Sequence, residues 1–185
     1  MDALTALHRR NSVNLLTEPG PNPEQLNNIV KAGLRACDHG GLTPWRYLLI
    51  EGDARHKFGE LIVEVKSAID KKPLSDELAN KLRKKPLRAP TIIAVVAKIT
   101  SHPKVPEIEQ VLSAGASAQM MMTAAHAQGI GAIWRSGSIM FHEKMREGLN
   151  LNTTDQIVGF IYLGTAKIVK QLPSYNPKDY IEVWA

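Results

Sequence analysis

The sequence contains very little cysteine, and this excludes several kinds of structural site. Its single cysteine, Cys37, cannot form an intramolecular disulfide, and zinc sites with four cysteines or with two cysteines and two histidines are excluded as well. The chain has 185 residues, of which 44% are hydrophobic and 22% charged, so it can bury a core without such cross-links. We therefore expect a single domain over residues 1–185 of a cytoplasmic protein.

The sequence also lacks a long apolar segment. Its N-terminus has no apolar run typical of a secretory signal. The least charged stretch, residues 111–134, contains three glycines and several polar residues: Ser113, Ser117, Gln119, Thr123, His126 and Gln128. We therefore predict a buried helix followed by a strand in this stretch, and no membrane span.

The common catalytic motifs are missing too. The sequence contains no phosphate-binding GxxxxGK[ST] loop, no GxGxxG after a strand, no GxSxG and no HExxH. Cys37 lies next to Asp38 and His39 and is a candidate thiol nucleophile, but catalytic partners normally converge from separate segments, which favours an ordinary turn residue. We predict no catalytic side chain and no metal site.

Positive charge is present in excess. The net charge of +5 and the isoelectric point near 9.4 suit an anionic ligand or a nucleic acid. The densest basic run, residues 81–88, contains no aromatic side chain to stack on a base. Basic residues before Pro86 are also typical of a helix end, so nucleic-acid binding is the less favoured alternative.

Periodicity and capping residues predict an α+β fold with one central sheet. Helices are expected at residues 2–9, from an Asn22 cap to Leu34, after an Asp53 cap, at 107–128 with a stop at Gly129, and at 142–148. Strands are expected at residues 45–50, 91–97, 130–134 and 157–163, with the second buried on both faces. The charged segment 71–90 is expected to be an exposed excursion with a short helix, and a candidate lid.

Two segments are expected to be covered by a second subunit. The helix at 107–128 is rich in alanine and glycine and is apolar or small on most sides, so we expect a second subunit to cover part of it. The tail at 173–185 is rich in aromatic and β-branched residues but has no pattern that assigns it to the core. We expect this C-terminal arm to pack on the partner subunit.

Three polar segments are candidates for ligand binding. The first is Arg9-Arg10-Asn11-Ser12, which suits an anionic group, although it would equally serve as an ordinary helix end. The second is residues 35–45, a glycine-containing loop with Arg35 and His39. The third is residues 131–137, where a strand leads through Trp134, Arg135 and Ser136 to Gly137, with backbone N–H groups available to a ligand.

In order and spacing these segments resemble the nitroreductase-like flavoprotein family, and most closely its minimal, YdjA-like branch. The similarity extends over nearly the whole chain, and the matching segments include Arg9-Arg10, Glu24-Gln-Leu, Arg35-Ala36, Asp38-His39, Pro44-Trp45, Arg88-Ala-Pro, Ser113-Ala-Gly, Ile133-Trp-Arg-Ser-Gly and Tyr162-Leu-Gly-Thr. The resemblance implies a mostly antiparallel sheet flanked by helices, in a homodimer that binds FMN in two clefts at the interface.

The resemblance also implies residue roles and an activity. Arg10, Asn11 and Ser12 would hold FMN from one subunit, Arg35 and His39 would reach in from the other, and residues 134–137 would line the isoalloxazine ring. NAD(P)H would deliver hydride to the flavin, and a nitro compound, a quinone or a similar small acceptor would then take its place, in ping-pong fashion.

This sequence departs from the family pattern at the phosphate end of the cofactor. Asn11 stands where an arginine or histidine is usual and Leu15 where an arginine is common, so the expected phosphate site has fewer cations. Lys167 and Lys170 are candidates to supply the missing charge. The departure favours, as an alternative, an FMN-binding module with little turnover.

Overall fold

The computed structural model describes residues 1–168 and 171–184. Within these residues the chain forms six α-helices and five β-strands. In chain order they are α1 (Ala3–Arg9), β1 (Leu16–Thr17), α2 (Pro23–Gly33), β2 (Trp45–Glu51), α3 (Ala54–Asp70), α4 (Asp76–Arg83), β3 (Thr91–Ala97), α5 (Glu107–Ala127), β4 (Gly131–Arg135), α6 (Glu143–Gly148) and β5 (Gln156–Ala166). Short 3-10 turns lie at His39–Gly41, Pro86–Arg88, Ser138–Phe141 and Pro177–Tyr180.

The strands form one sheet in the order β2–β3–β5–β4, and the two-residue β1 pairs with the end of β5. Every pair is antiparallel. All seven residues of β3 are buried, as predicted from its continuous run of β-branched residues. The predicted α+β class with a mostly antiparallel sheet is confirmed.

Helices cover both faces of the sheet and divide the core in two. On one face α2 and α5 pack on Ile93, Val95 and Ile161, while on the other α3 and α6 pack on residues such as Ile92 and Phe160. Gly33 lets α2 approach α5 closely, since a Cβ at this position would lie 2.7 Å from Met121 Cε. Helix α5, which also contacts α1, is the central helix of its layer.

Capping residues fix most helix ends where the sequence predicts them. Asn22 and Gln25 form a reciprocal capping box at the start of α2, and Gly129 follows α5 with a φ of 76°. Asp53 occupies the predicted cap position of α3, but its side chain makes no capping hydrogen bond, because its backbone is already in the helical region. That part of the prediction is wrong. Strand β1 was not predicted.

The charged segment 71–90 is more firmly packed than expected. It contains α4, whose side chains Ala79 and Leu82 are buried against α3, and Pro86 and Ala89 are buried after it. Gly59 of α3 permits this packing, because a Cβ there would lie 2.5 Å from the carbonyl oxygen of Arg83. The segment therefore packs on α3 through its apolar side chains and exposes most of its charged side chains, and it is not an exposed excursion. A role as a lid stays a prediction.

Apolar side chains remain exposed along α5 and in the C-terminal arm. On α5, Ile108 and Leu112 are 61% and 63% exposed, and α1, which packs against α5, exposes Leu4 and Leu7. In the arm, Ile181 and Trp184 are exposed, Trp184 to 99%. Ala185, the last residue of the predicted arm, lies outside the described residues, and so does Lys170. None of the helices in the described ranges is both long and apolar enough to cross a membrane.

Candidate functional site

The segment Arg10–Ser12 leaves the end of α1 and lies beside β4. Helix α1 is capped at its start by Asp2, whose carboxylate accepts from the N–H of Thr5 at 3.0 Å. Arg10 caps its end, where the N–H of Arg10 donates to the carbonyl of Ala6 at 3.1 Å. Immediately after the segment, the N–H of Val13 donates to the carbonyl of Ala132 at 2.9 Å. This bond brings two of the three predicted polar segments together, the first and the third.

A histidine that the sequence analysis did not select completes this cluster. His126 lies in the last turn of α5, and its pKa is held below the usual value by burial and by the nearby charges of Arg10 and Arg9. Its Nε2 atom is buried and has no hydrogen-bond partner among the described residues. A neutral imidazole beside two arginines is well suited to meet an anion, which would accept hydrogen bonds from all three groups.

The cluster opens into a cavity of about 630 Å³. Arg9, Asn11 and His126 contribute to its polar lining, and Gly129 and Gly131 bring backbone close to it. Asn11 and Arg10 are half-buried, while Ser12 is exposed. Lys167, a candidate to supply the missing positive charge, is exposed. Its backbone N–H donates to the carbonyl of Leu15 at 3.1 Å, which places Lys167 next to the chain that follows Ser12.

Residues 134–137 lie where β4 ends. Trp134 packs against the core on the α5 side of the sheet and lies on the backbone of Gly159. Ser136 and Gly137 are exposed, and within residues 1–168 and 171–184 no hydrogen bond uses their backbone N–H groups. Both donors are therefore open to a ligand, and that they bind one stays a prediction.

The side chain of Arg135 points to the opposite face of the sheet from Trp134, because side chains alternate along a strand. Its guanidinium carbon lies 5.5 Å from the centroid of the Tyr162 ring, which belongs to the core on the α3 side. The Arg135 side chain is thus apart from the cavity lined by Arg9, Asn11 and His126, but it shares a second pocket with Trp134 and Ser136.

The second polar segment, residues 35–45, lies at the other end of α5. Asp38 holds the loop by accepting from the N–H groups of Leu42 and Thr43 at 3.1 and 2.6 Å. His39 Nδ1 pairs with the carboxylate of Glu109 in the first turn of α5. Arg35 and Cys37 are exposed.

The predicted residues therefore do not form one cluster within one chain. Glu109 and His126 are separated by 17 residues of α5, which at a rise of about 1.5 Å per residue is about 25 Å. His39, which pairs with Glu109, therefore cannot contact a small ligand held by Arg10 and His126 of the same chain. In the described ranges no group of three His, Cys, Asp or Glu side chains is arranged to hold a metal ion.

Known proteins share both the sequence and the fold. A sequence model of the nitroreductase family matches residues 6–165. The Escherichia coli K12 protein named "Putative NAD(P)H nitroreductase YdjA" is 44% identical over 179 residues, which are 97% of this chain and 96% of that protein. A crystal structure of a nitroreductase-like family protein from Bacillus cereus superimposes with a TM-score of 0.84 at 20% identity and covers 98% of this chain and 95% of its own. A nitroreductase from Bacteroides fragilis with bound FMN superimposes with a TM-score of 0.75 at 19% identity, covering 98% of both chains.

Proposed function

Because this chain belongs to the nitroreductase family, we propose that it is an FMN-dependent oxidoreductase that uses NAD(P)H to reduce a nitro compound, a quinone or a similar small acceptor. The family and the fold predicted from the sequence are confirmed by the family match and by the superposition with a TM-score of 0.84. The relative that shares 44% of its residues carries NAD(P)H nitroreductase in its name, which supports the same activity here.

The observation that carries the proposal is the position of Arg9 and Arg10 beside the buried, unpartnered Nε2 of His126. A buried donor or acceptor without a partner costs about 1–3 kcal/mol, so such atoms in a cavity mark the place of a bound group. The cavity of about 630 Å³ next to these residues is large enough for an organic ligand with an anionic end. A phosphate-bearing cofactor such as FMN fits this donor set.

Bound FMN would accept hydride from NAD(P)H and pass electrons on to the acceptor. Arg10, with Asn11 and Ser12, would bind its phosphate and ribityl groups, and His126 would donate a further hydrogen bond there. The free N–H groups of Ser136 and Gly137 would orient the ring and stabilise negative charge on it. No dedicated acid or base is needed for these roles, so we assign no catalytic side chain.

We further propose that each cofactor site is completed by a second copy of the chain. His39 lies about 25 Å from His126, at the other end of α5, since its partner Glu109 precedes His126 by 17 residues and the helix rises about 1.5 Å per residue. In a two-fold dimer with the α5 helices packed against each other, the N-terminal end of one helix meets the C-terminal end of its partner. Arg35 and His39 would then approach the cavity of the other subunit.

The exposed apolar side chains support the same dimer. Ile108, Leu112 and Met120 lie on the uncovered side of α5, and Leu4 and Leu7 extend this surface along α1. Monomeric proteins rarely expose a contiguous apolar surface of this kind. The C-terminal arm, with Tyr175, Ile181 and Trp184 exposed, would embrace the partner. A cytoplasmic location, based on the single cysteine, stays a prediction.

An absorption spectrum of the purified protein tests the cofactor and the activity together. We expect flavin bands that bleach on anaerobic addition of NADH or NADPH and return when a nitroaromatic or a quinone is added. Bands that bleach but return only slowly with every acceptor would favour a flavin-binding module with little turnover. A protein that retains no FMN after incubation and desalting would contradict the proposal.

A further inference from the structure

A second cavity, of about 390 Å³, lies on the α3 side of the sheet and is lined by three basic side chains. They are Lys85, Arg88 and Arg135, and we call the cavity the Arg135 pocket. No acidic residue is among the residues that line it. Two of the three cations belong to the basic run 81–88, which therefore does not form one continuous outward surface.

Arg135 is the most constrained of the three cations. Its guanidinium group lies over the ring of Tyr162, with 5.5 Å between the carbon Cζ and the ring centroid. Its Nε atom is buried and donates to no acceptor among the described residues. A charged donor left unpaired in this way is costly, and an anion in the pocket would satisfy it.

Lys85 and Arg88 face the same space without counter-charges. Neither side chain forms an ion pair or a hydrogen bond within residues 1–168 and 171–184. Burial lowers the pKa of Lys85, and so do the neighbouring positive charges of Arg88, Lys81, Arg135 and Lys66. A ligand with a negative charge would relieve this repulsion.

Apart from Ser136, the other side chains that line the pocket are apolar or aromatic. Phe58 and Phe160 meet with 5.0 Å between their ring centroids, and Ile62, Ile133 and Ile139 complete the walls. An inorganic anion would leave these walls exposed to water, whereas a flat organic body would cover them. The charge and the walls together select an organic anion.

We propose that the Arg135 pocket binds a small aromatic carboxylate, with the carboxylate held by Arg135, Arg88 and Lys85 and the ring against Phe160 and its neighbours. The planar guanidinium of Arg135 suits the two oxygens of a carboxylate, and its fixed position over Tyr162 orients it before the ligand arrives. The pocket shares no lining residue with the cavity beside Arg9 and His126, and it adjoins the proposed site of the flavin ring, because Trp134 and Ser136 also line it.

Calorimetric titration with 2-naphthoate, and with the uncharged 2-naphthamide, tests the site. We expect one naphthoate to bind per chain, in the presence of excess FMN, at least about tenfold more tightly than naphthamide. The double variant Lys85→Gln/Arg88→Gln should lose about tenfold or more in naphthoate affinity and little in naphthamide affinity. Lys85→Arg/Arg88→Lys should retain most of the binding.

The matched control is Lys71→Gln/Lys72→Gln, which removes two exposed lysines from a different surface and should bind naphthoate like the wild type. If the double variant does not fold by circular dichroism, Arg88→Gln alone serves, because that side chain is exposed. Failure of naphthoate to bind, equal affinities for the two probes, or an equal loss in the control would overturn the proposal. So would naphthoate binding that disappears when FMN is added, since the probe would then occupy the cofactor cleft.

Discussion

The indole of Trp134 lies directly on the backbone of Gly159, so closely that a Cβ at this glycine would be 2.1 Å from Trp134 Nε1. This contact between β4 and β5 fixes the tryptophan at the start of the segment that carries the free N–H groups of Ser136 and Gly137. The position of the indole, and of the donors that follow it, thus depends on the absence of a side chain at residue 159.

Replacing Gly159 with alanine should therefore destabilise the protein. Overpacking of this kind costs about 1–3 kcal/mol of the free energy of unfolding, and urea denaturation measures it. The variant Trp134→Leu supplies the control in a double-mutant cycle, because the smaller side chain leaves room for the added methyl group. If the two substitutions simply add, the contact does not constrain the tryptophan.

Removing the Arg10 side chain should weaken FMN binding. We expect Arg10→Ala to lose about 1.5–3 kcal/mol of binding free energy, the range for a hydrogen bond to a charged group, as measured by quenching of flavin fluorescence. Arg83→Ala is the control, because Arg83 pairs with Glu60 on the outer side of α3 and α4. An unchanged FMN affinity in Arg10→Ala would mean that the phosphate lies elsewhere.

His126 should make stability depend on pH. Its pKa is lowered in the folded protein, so the unfolded chain binds a proton first as the pH falls. The stability it contributes is complete above the unfolded pKa of about 6.5 and is lost as the pH falls towards the folded pKa.

Urea unfolding of the FMN-free protein between about pH 8 and pH 5, a range that includes the ordinary histidine pKa of about 6.5, measures the free energy of unfolding at each pH. His126→Gln should lose less stability on acidification than the wild type, whereas His8→Gln, at an exposed position, should not differ from it. Arg10→Ala should raise the pKa of His126 in a nuclear magnetic resonance titration, since one repelling charge is removed. A pKa unaffected by Arg10 would contradict the cluster.

A charge on the exposed face of α5 should prevent dimer formation. Leu112 is 63% exposed in the single chain, and burying a glutamate there against an apolar partner surface is strongly unfavourable. Leu112→Glu should therefore be monomeric in light scattering after gel filtration and should lose bound FMN. Leu87→Glu, which adds the same charge after α4 on the other face of the sheet, should remain dimeric. A wild type that is monomeric at micromolar concentration would contradict the proposed assembly.

Local signals in the sequence account for most of the fold. Capping at Asn22 and Gly129, the periodicity of α3 and the β-branched run of β3 act over a few residues and were enough to identify these elements. The two-residue β1 carries no periodicity, and the burial of α4 depends on the close approach of Gly59 to Arg83, which a charged sequence does not reveal.

The candidate site was less accessible to sequence reasoning. Arg10 and Ser136 belong to segments that the family resemblance identifies, but His126 meets Arg10 across 116 residues of sequence, and no local pattern marks it. Strand alternation places the side chains of Trp134 and Arg135 on opposite faces of the sheet. What each side chain meets there depends on the helices that cover the two faces, and the sequence alone does not give their positions.

The length of α5 also has a genetic consequence. In the proposed dimer, with Arg10 near one end of the helix and His39 near the other, a defect in either residue is carried by one chain but affects a site shared with its partner. In a randomly mixed population of Arg10→Ala and His39→Ala chains, a hybrid dimer contains one site with both defects and one with neither, so about a quarter of all sites are intact. Co-expression of two inactive alleles should then restore about that fraction of bound flavin, and no recovery at all would mean that each chain builds its site alone.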